Sequence, residues 1–158
     1  MIASEPVVKE IVVAASQRRA FEVFTDRIDA WWPRTHHIGK SPLARTVLEP
    51  RVGGRWFSLC EDGSECDIGK VLDFDPPRRL LLAWQIDADW QYDPAFVTEV
   101  EVRFVELGPR KTRVVLEHRN LDRYGVREVE VSTSIGSPGG WPSILRSYAD
   151  LAASLEAT

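Results

Sequence analysis

The chain has 158 residues, of which 44% are hydrophobic and 28% charged, and its formal net charge is −4. These values exclude a disordered or fibrous chain and predict one globular domain over residues 1–158, able to bury about 70% of its unfolded surface. Acidic and basic residues are interspersed without a basic run, so nucleic acid is not an expected partner.

No segment approaches the stretch of about 20 apolar residues that a membrane-spanning helix needs. Met1–Pro6 also lacks the charged and apolar regions of a signal peptide. The sequence therefore predicts a cytoplasmic protein without a membrane span.

Familiar metal, cofactor and catalytic motifs are absent from the sequence. Cys60 and Cys66 flank what resembles a hairpin tip, and in a cytosolic chain two free thiols are expected there. No Gly-x-Gly-x-x-Gly, Gly-x-Ser-x-Gly or His-Glu-x-x-His occurs, which removes the common dinucleotide, hydrolase and zinc-protease signatures. We therefore predict no metal, no cofactor and no catalytic residue.

The first part of the chain predicts a strand followed by helix. Val7–Ala14 is rich in β-branched residues, and Ser16 is placed to cap the helix that comes next. The helical pattern continues through Trp31 until Pro33 stops it. Residues 34–42 include two adjacent histidines, show no period and are predicted to form a solvated loop.

Six further strands are predicted from turn signals spaced as in an antiparallel meander. They cover residues 44–49, 54–60, 65–74, 78–87, 97–106 and 111–119. In the last two strands apolar and polar residues alternate, so that Val100, Phe104 and His118 share the inner face and the other face is wet.

A long helix is predicted after the weakly patterned segment 120–137, whose role as a lid is left open. Its apolar stripe recurs at helical spacing and consists of Trp141, Ile144, Leu145, Tyr148, Ala152 and Leu155. Only the inner face of the sheet matches this stripe in length, and a curved sheet around a long helix leaves a space between them.

Several short motifs occur in an order that resembles one known superfamily. They are Ala30-Trp31-Trp32, Gly53-Gly54-Arg55-Trp56, Gly69-Lys70-Val71-Leu72, Asp75-Pro76-Pro77-Arg78-Arg79-Leu80, Trp84, Val97-Thr98, His118 and Gly139-Gly140-Trp141. With the order of elements, they resemble the START-related (SRPBCC) superfamily, and within it the activator of heat-shock-protein-90 ATPase homologue-like proteins.

This resemblance implies an α+β helix-grip fold, in which a curved antiparallel sheet of six or seven strands wraps around the C-terminal helix and encloses a cavity. The residues expected to line the cavity are Trp31, Trp32, Trp56, Trp84, Val100, Phe104, His118, Trp141, Leu145 and Tyr148. His118 is either a ligand contact or a core histidine bonded to the backbone.

The expected function is the non-catalytic binding of a small apolar molecule. One alternative is a polyketide cyclase or aromatase in which His118 or a buried carboxylate moves a proton. Another is a chaperone regulator that contacts heat-shock protein 90 through the exposed sheet face. A homodimer is also left open, because fold alone does not choose among these functions.

Overall fold

The structure is a computed structural model that describes residues 5–156. The prediction for Met1–Pro6 falls largely outside these residues. Within them, no helix is long and apolar enough to cross a membrane.

Seven strands form one antiparallel sheet, and the helices cover its inner face. The strands are β1 (Val7–Val13), β2 (Leu43–Leu48), β3 (Arg55–Cys60), β4 (Glu65–Asp75), β5 (Arg79–Trp84), β6 (Thr98–Gly108) and β7 (Lys111–Arg119). The helices are α1 (Gln17–Asp26), α2 (Ile28–Trp31), α3 (Glu128–Gly136) and α4 (Trp141–Glu156), with a 3-10 helix (Leu121–Arg127) before α3. The predicted α+β helix-grip fold is confirmed.

The sheet order is β1-β7-β6-β5-β4-β3-β2, so every neighbouring pair except β1 and β7 is also consecutive in sequence. This local pairing explains why turn signals alone located the strands. Strand β5 is shorter than predicted. It ends at Trp84, whereas a strand over residues 78–87 was expected. Beyond it, Ile86 keeps a single bridge to Tyr92 across a tight turn.

Local signals also account for the helices. The Ser16 hydroxyl accepts a hydrogen bond from the Arg19 amide at 3.2 Å and so caps α1 as predicted. The predicted stripe of α4 lies on the core, where Trp141, Ile144, Leu145, Tyr148 and Ala152 are all buried. Helix α4 is held to α1 by the Tyr148 hydroxyl, which donates to the Ala20 carbonyl at 2.7 Å.

The outer face of the sheet carries charge, as its alternation predicts, but one of its carboxylates is buried. Glu101 is only 4% exposed because arginine side chains cover it. It accepts hydrogen bonds from Arg79, from Arg103 at 2.6 Å and from Arg119 at 3.1 Å. Burial opposes ionisation of Glu101, but the bonds from Arg79 and Arg103 outweigh it and lower its pKa to about 2.

The close approach of β4 and β5 depends on Gly69, which is paired with Trp84. A Cβ atom at this position would lie 1.7 Å from the carbonyl oxygen of Ala83. Since that oxygen belongs to the backbone, the strands would have to separate before any side chain could fit.

We expect Gly69→Ala to lower the free energy of unfolding by about 3 kcal/mol, as overpacking of a rigid site does. Urea denaturation followed by circular dichroism measures this change. Gly108→Ala is the matched control, because its new Cβ would meet nothing closer than the Lys111 Cβ at 4.0 Å. Equal urea midpoints for Gly69→Ala and Gly108→Ala would contradict this prediction, because they would show that β4 and β5 can separate at little cost in stability.

Candidate functional site

Four tryptophans form a closed circle between the sheet and the helices. The Trp32 ring contacts Trp56 and Trp141 at centroid distances of 5.8 and 6.2 Å. The Trp84 ring completes the circle by contacting Trp56 and Trp141, each at 5.7 Å. All four indoles are at least 90% buried, so this aromatic circle fills the middle of the space that the sheet and α4 enclose.

His118 connects the circle to the sheet through a chain of hydrogen bonds. The Trp141 indole N–H donates to His118 Nδ1 at 3.2 Å, so the proton of the neutral ring lies on Nε2. His118 Nε2 bonds to the Thr98 hydroxyl at 2.8 Å, and that hydroxyl donates to the Trp84 carbonyl at 3.1 Å. Both ring nitrogens of His118 therefore have protein partners.

The His118 ring is also held in its neutral form. It is completely buried, and this burial lowers its pKa to about 3. A proton shuttle needs access to the substrate and a pKa near the working pH. In this structure His118 is a core histidine that links two side chains, whereas the sequence-based alternative to a ligand contact was a bond to the backbone.

A cleft opens beside the aromatic circle, at the N-terminal end of α4. It has two lobes, of about 230 and about 330 Å³. Both are walled by His36, Trp84, Trp90 and Ile144. We call this space the Trp84 cleft.

Each lobe has further walls of its own. The first lobe is completed by Trp32, Thr35, His37, Ile38, Ser58, Ile68 and Ile86. The second is completed by Ser134, Ile135, Ser137, Gly139, Gly140 and Trp141. Among these described walls the titratable side chains are histidines, and no carboxylate, lysine or arginine is included.

Trp90 stands at the mouth of the cleft on an unusual backbone. Its side chain is 42% exposed, and its φ of 60° is in the left-handed region, which bulky residues rarely adopt. The Asp87 carboxylate holds the turn by accepting from the amides of Asp89 and Gln91 at 2.9 and 3.0 Å. Arg127, which precedes α3, pairs with Asp89 and ties the turn to that helix. Such strain persists only where the surroundings impose it, and it often marks a functional position.

The opposite wall is the loop after α2, which is fixed at several points. The Trp32 indole donates to the His36 carbonyl at 2.8 Å, and His36 Nε2 bonds to the Gly139 carbonyl at 2.8 Å. Further along the loop, Gly39 packs closely against two cysteines. A Cβ atom at this position would lie 2.7 Å from the sulfur of Cys60 and 3.1 Å from that of Cys66. These cysteines are free thiols, as predicted.

The structure places the predicted cavity residues in two groups. Trp32, Trp84 and Trp141 line the Trp84 cleft. The other seven are core residues outside the two lobes, and they are Trp31, Trp56, Val100, Phe104, His118, Leu145 and Tyr148.

The sequence analysis did not predict Trp90 as a cleft residue, and it placed His36 and His37 in a solvated loop rather than in the wall of a cleft. The Asp87-x-Asp89 spacing was the available signal for the Trp90 turn.

The fold and the cleft together define a member of the START-related helix-grip superfamily. Within it, residues 14–153 match the model of the family described as "Activator of Hsp90 ATPase homolog 1-like protein". The chain belongs to this family. No curated protein is significantly similar to it.

Two solved structures share substantial sequence identity with the chain. An anthrahydroquino-γ-pyrone synthase, Txn09, is 39% identical with a TM-score of 0.66, over 94% of this chain and 97% of that one. The self-sacrificing resistance protein CalC from Micromonospora echinospora is 31% identical with a TM-score of 0.73, over 98% and 97%. A heat-shock-protein-90 activator from Plasmodium falciparum is 16% identical with a TM-score of 0.51, over 74% of each chain, and shows the fold alone.

The buried neutral state of His118 predicts a specific dependence of stability on pH. Its pKa in the folded state, about 3, lies below the ordinary histidine value of 6.5, so between these values the unfolded chain binds an extra proton. Stability is therefore highest above pH 6.5 and falls as the pH drops. Between pH 6 and pH 5 we expect a loss of about 1 kcal/mol from this residue.

Urea denaturation at the two pH values, with His118→Gln for comparison, measures this contribution. The variant lacks the titrating ring, and His36 and His37 contribute equally to both proteins. The loss of stability on acidification should thus be smaller in the variant. Identical losses would contradict a neutral, sealed His118.

Proposed function

We propose that this protein binds a small, planar, fused-ring aromatic molecule in the Trp84 cleft, without catalysing a reaction on it. The observation that carries the proposal is the composition of the walls, because Trp84 and Trp90 line both lobes, Trp32 lines the first and Trp141 lines the second. Aromatic side chains stack on flat rings and gain about 0.5–1.5 kcal/mol per pair beyond burial of area.

The dimensions of the cleft support a compact ligand. Pockets for drug-sized ligands usually measure about 300–1,000 Å³. The first lobe, of about 230 Å³, is smaller than this, and the second, of about 330 Å³, lies at the lower end of the range. The aromatic circle blocks extension along α4, where a long acyl chain would otherwise lie. A ligand of two or three rings therefore suits the space better than a lipid does.

The charge of the walls favours a neutral ligand. The described walls hold no carboxylate, lysine or arginine, so an ionised ligand would lose its hydration without gaining a counterion. A larger groove, of about 530 Å³, runs along charged residues of α1 and includes Arg19, Glu22 and Asp26. That groove is polar helix surface and does not have the enclosed apolar walls of a site for an aromatic molecule.

The names of the two similar proteins are consistent with such a ligand. The 39% identical structure is named as a synthase of an anthrahydroquino-γ-pyrone, which is a fused-ring aromatic compound. The 31% identical structure is named as a resistance protein. The first name supports an aromatic ligand but denotes an enzyme, whereas the second, a self-sacrificing protein, supports a function without enzymatic turnover.

The proposal is tested by isothermal titration calorimetry with 2-methylnaphthalene and, for comparison, laurate. We expect the wild type to bind the aromatic probe and to bind laurate weakly or not at all. Trp90→Ala should weaken binding of 2-methylnaphthalene about tenfold, or about 1.4 kcal/mol, because one stacking surface is lost. The affinity of Trp90→Phe for this probe should lie between those of the wild type and Trp90→Ala.

Tyr92→Ala is the matched control, since Tyr92 is an exposed aromatic residue near the same turn but outside the cleft walls. Its affinity for the probe should equal that of the wild type. Preference for laurate, or equal losses in the Trp90→Ala and Tyr92→Ala variants, would refute the proposal.

A ring-closing enzyme is the second candidate function, and the contacts of His36 favour it. The Gly139 carbonyl can only accept, so His36 Nε2 carries the proton that it shares with this oxygen. In the neutral ring with this tautomer, His36 Nδ1 is an acceptor, and it lies 3.1 Å from the Thr35 hydroxyl. Both residues line the first lobe, which gives the cleft a histidine base beside a hydroxyl group.

The cyclisation of 2′-hydroxychalcone to flavanone tests this candidate. In this isomerisation a base removes the phenolic proton, the oxygen bonds to the β-carbon of the enone, and a proton is added to the α-carbon. If His36 is the base, wild-type protein should accelerate the loss of chalcone absorbance, and His36→Gln should lower the rate about 100-fold. Tyr92→Ala, which lies outside the cleft walls, should retain the rate. An unchanged rate in His36→Gln would refute a role for His36 as the base.

A further inference from the structure

Ser58 is a buried polar residue in the wall of the first lobe. It lies on β3 between Trp56 and Cys60, is 0% exposed and faces the inner side of the sheet. Its hydroxyl oxygen has no hydrogen-bond partner among the described residues. Because buried hydroxyl groups in proteins are almost always bonded, an unbonded one beside a cleft indicates a group that the ligand supplies.

The histidines in the walls of the first lobe have protein partners. His36 bonds to Gly139 and Thr35, and His37 bonds to the Gly39 carbonyl at 3.0 Å. The Trp84 indole N–H makes no well-formed hydrogen bond, but it interacts with the hydroxyl of Tyr124. Ser58 and Trp84 are thus the wall residues of this lobe with a buried polar atom that makes no well-formed hydrogen bond, and of the two only the Ser58 hydroxyl can both donate to and accept from a ligand.

A neighbouring residue shows that burial alone does not explain Ser58. Thr46 on β2 is paired directly with Ser58 and also has a buried hydroxyl without a partner. Thr46 is not part of the walls of either lobe. Both residues therefore have a buried hydroxyl without a partner, but of the two only Ser58 lines the Trp84 cleft.

We propose that Ser58 is the polar anchor of the Trp84 cleft, and that the ligand is a neutral aromatic molecule carrying a phenolic hydroxyl or ketone oxygen. This inference rests on the proposed function, because it requires that the cleft binds an aromatic ring system. The Ser58 hydroxyl can donate to a ketone or accept from a phenol. It therefore sets which edge of the ring system enters the lobe first.

The experiment compares 2-naphthol with 2-methylnaphthalene, in which a methyl group replaces the hydroxyl at nearly the same size. Isothermal titration calorimetry gives the dissociation constants of both probes for wild type, Ser58→Ala and Thr46→Val. We expect the wild type to prefer 2-naphthol about tenfold, as a site built to bond a hydroxyl does. Ser58→Ala should remove this preference without changing the affinity for 2-methylnaphthalene, and Thr46→Val should keep it.

Unfolding midpoints in urea separate this role from a purely structural one. If Ser58 and Thr46 instead bond to each other, both variants should be destabilised alike and the probe preference should survive in both. That result, or a wild type with no preference, would overturn the inference and leave the proposed function standing. If neither probe binds the wild type, the proposed function fails as well.

Discussion

The structure depends on one buried chain of hydrogen bonds, which joins Trp141 on α4 through His118 and Thr98 to the Trp84 carbonyl on β5. A helix packed on a sheet by apolar contact alone can slide, because such contact has no direction. Here each polar side-chain atom has at least one partner, and an unpaired group in this interior would be costly. These hydrogen bonds therefore fix the side-chain rotation of Trp141 and the position of α4 along the sheet. They also require a neutral His118, and its burial provides that state.

Once Trp141 is fixed, the form of the cleft follows. Trp141 contacts Trp84 and Trp32, and Trp56 contacts both Trp84 and Trp32. The four rings therefore close the middle of the space between the sheet and α4. The remaining open space lies past the first turn of α4, where the chain arrives through Gly139 and Gly140. The walls there come from separate loops, one carrying His36 and the other Trp90. A rigid interior thus supports a site whose rim consists of loops, the part of a fold that tolerates most variation.

The fold was predictable from sequence because its signals are local. Strands β2 to β7 pair in sequence order, and the stripe on α4 matches a helical period. The cleft was less predictable, because its features depend on contacts between distant residues. His36 meets the Gly139 carbonyl across a sequence separation of 103 residues, and no periodicity reports that contact. The lack of a partner for Ser58 is visible only when all of its neighbours are placed. Alternation correctly predicted which face Glu101 occupies, but not that three arginines would bury it.

The two faces of the sheet use charge in opposite ways, and this difference bears on function. On the outer face, Glu101 is bonded to Arg79, Arg103 and Arg119, and Arg119 also pairs with Glu99 and Glu117. These charges neutralise one another within the chain, so this cluster offers little net attraction to a charged partner. The inner face excludes carboxylates and cations from the cleft walls and keeps His118 neutral. Desolvation penalises an ionised ligand there but not a flat neutral one. Under the proposed function, selectivity for a neutral ligand would come from the walls of the Trp84 cleft, whereas the paired charges lie on the outer face of the sheet.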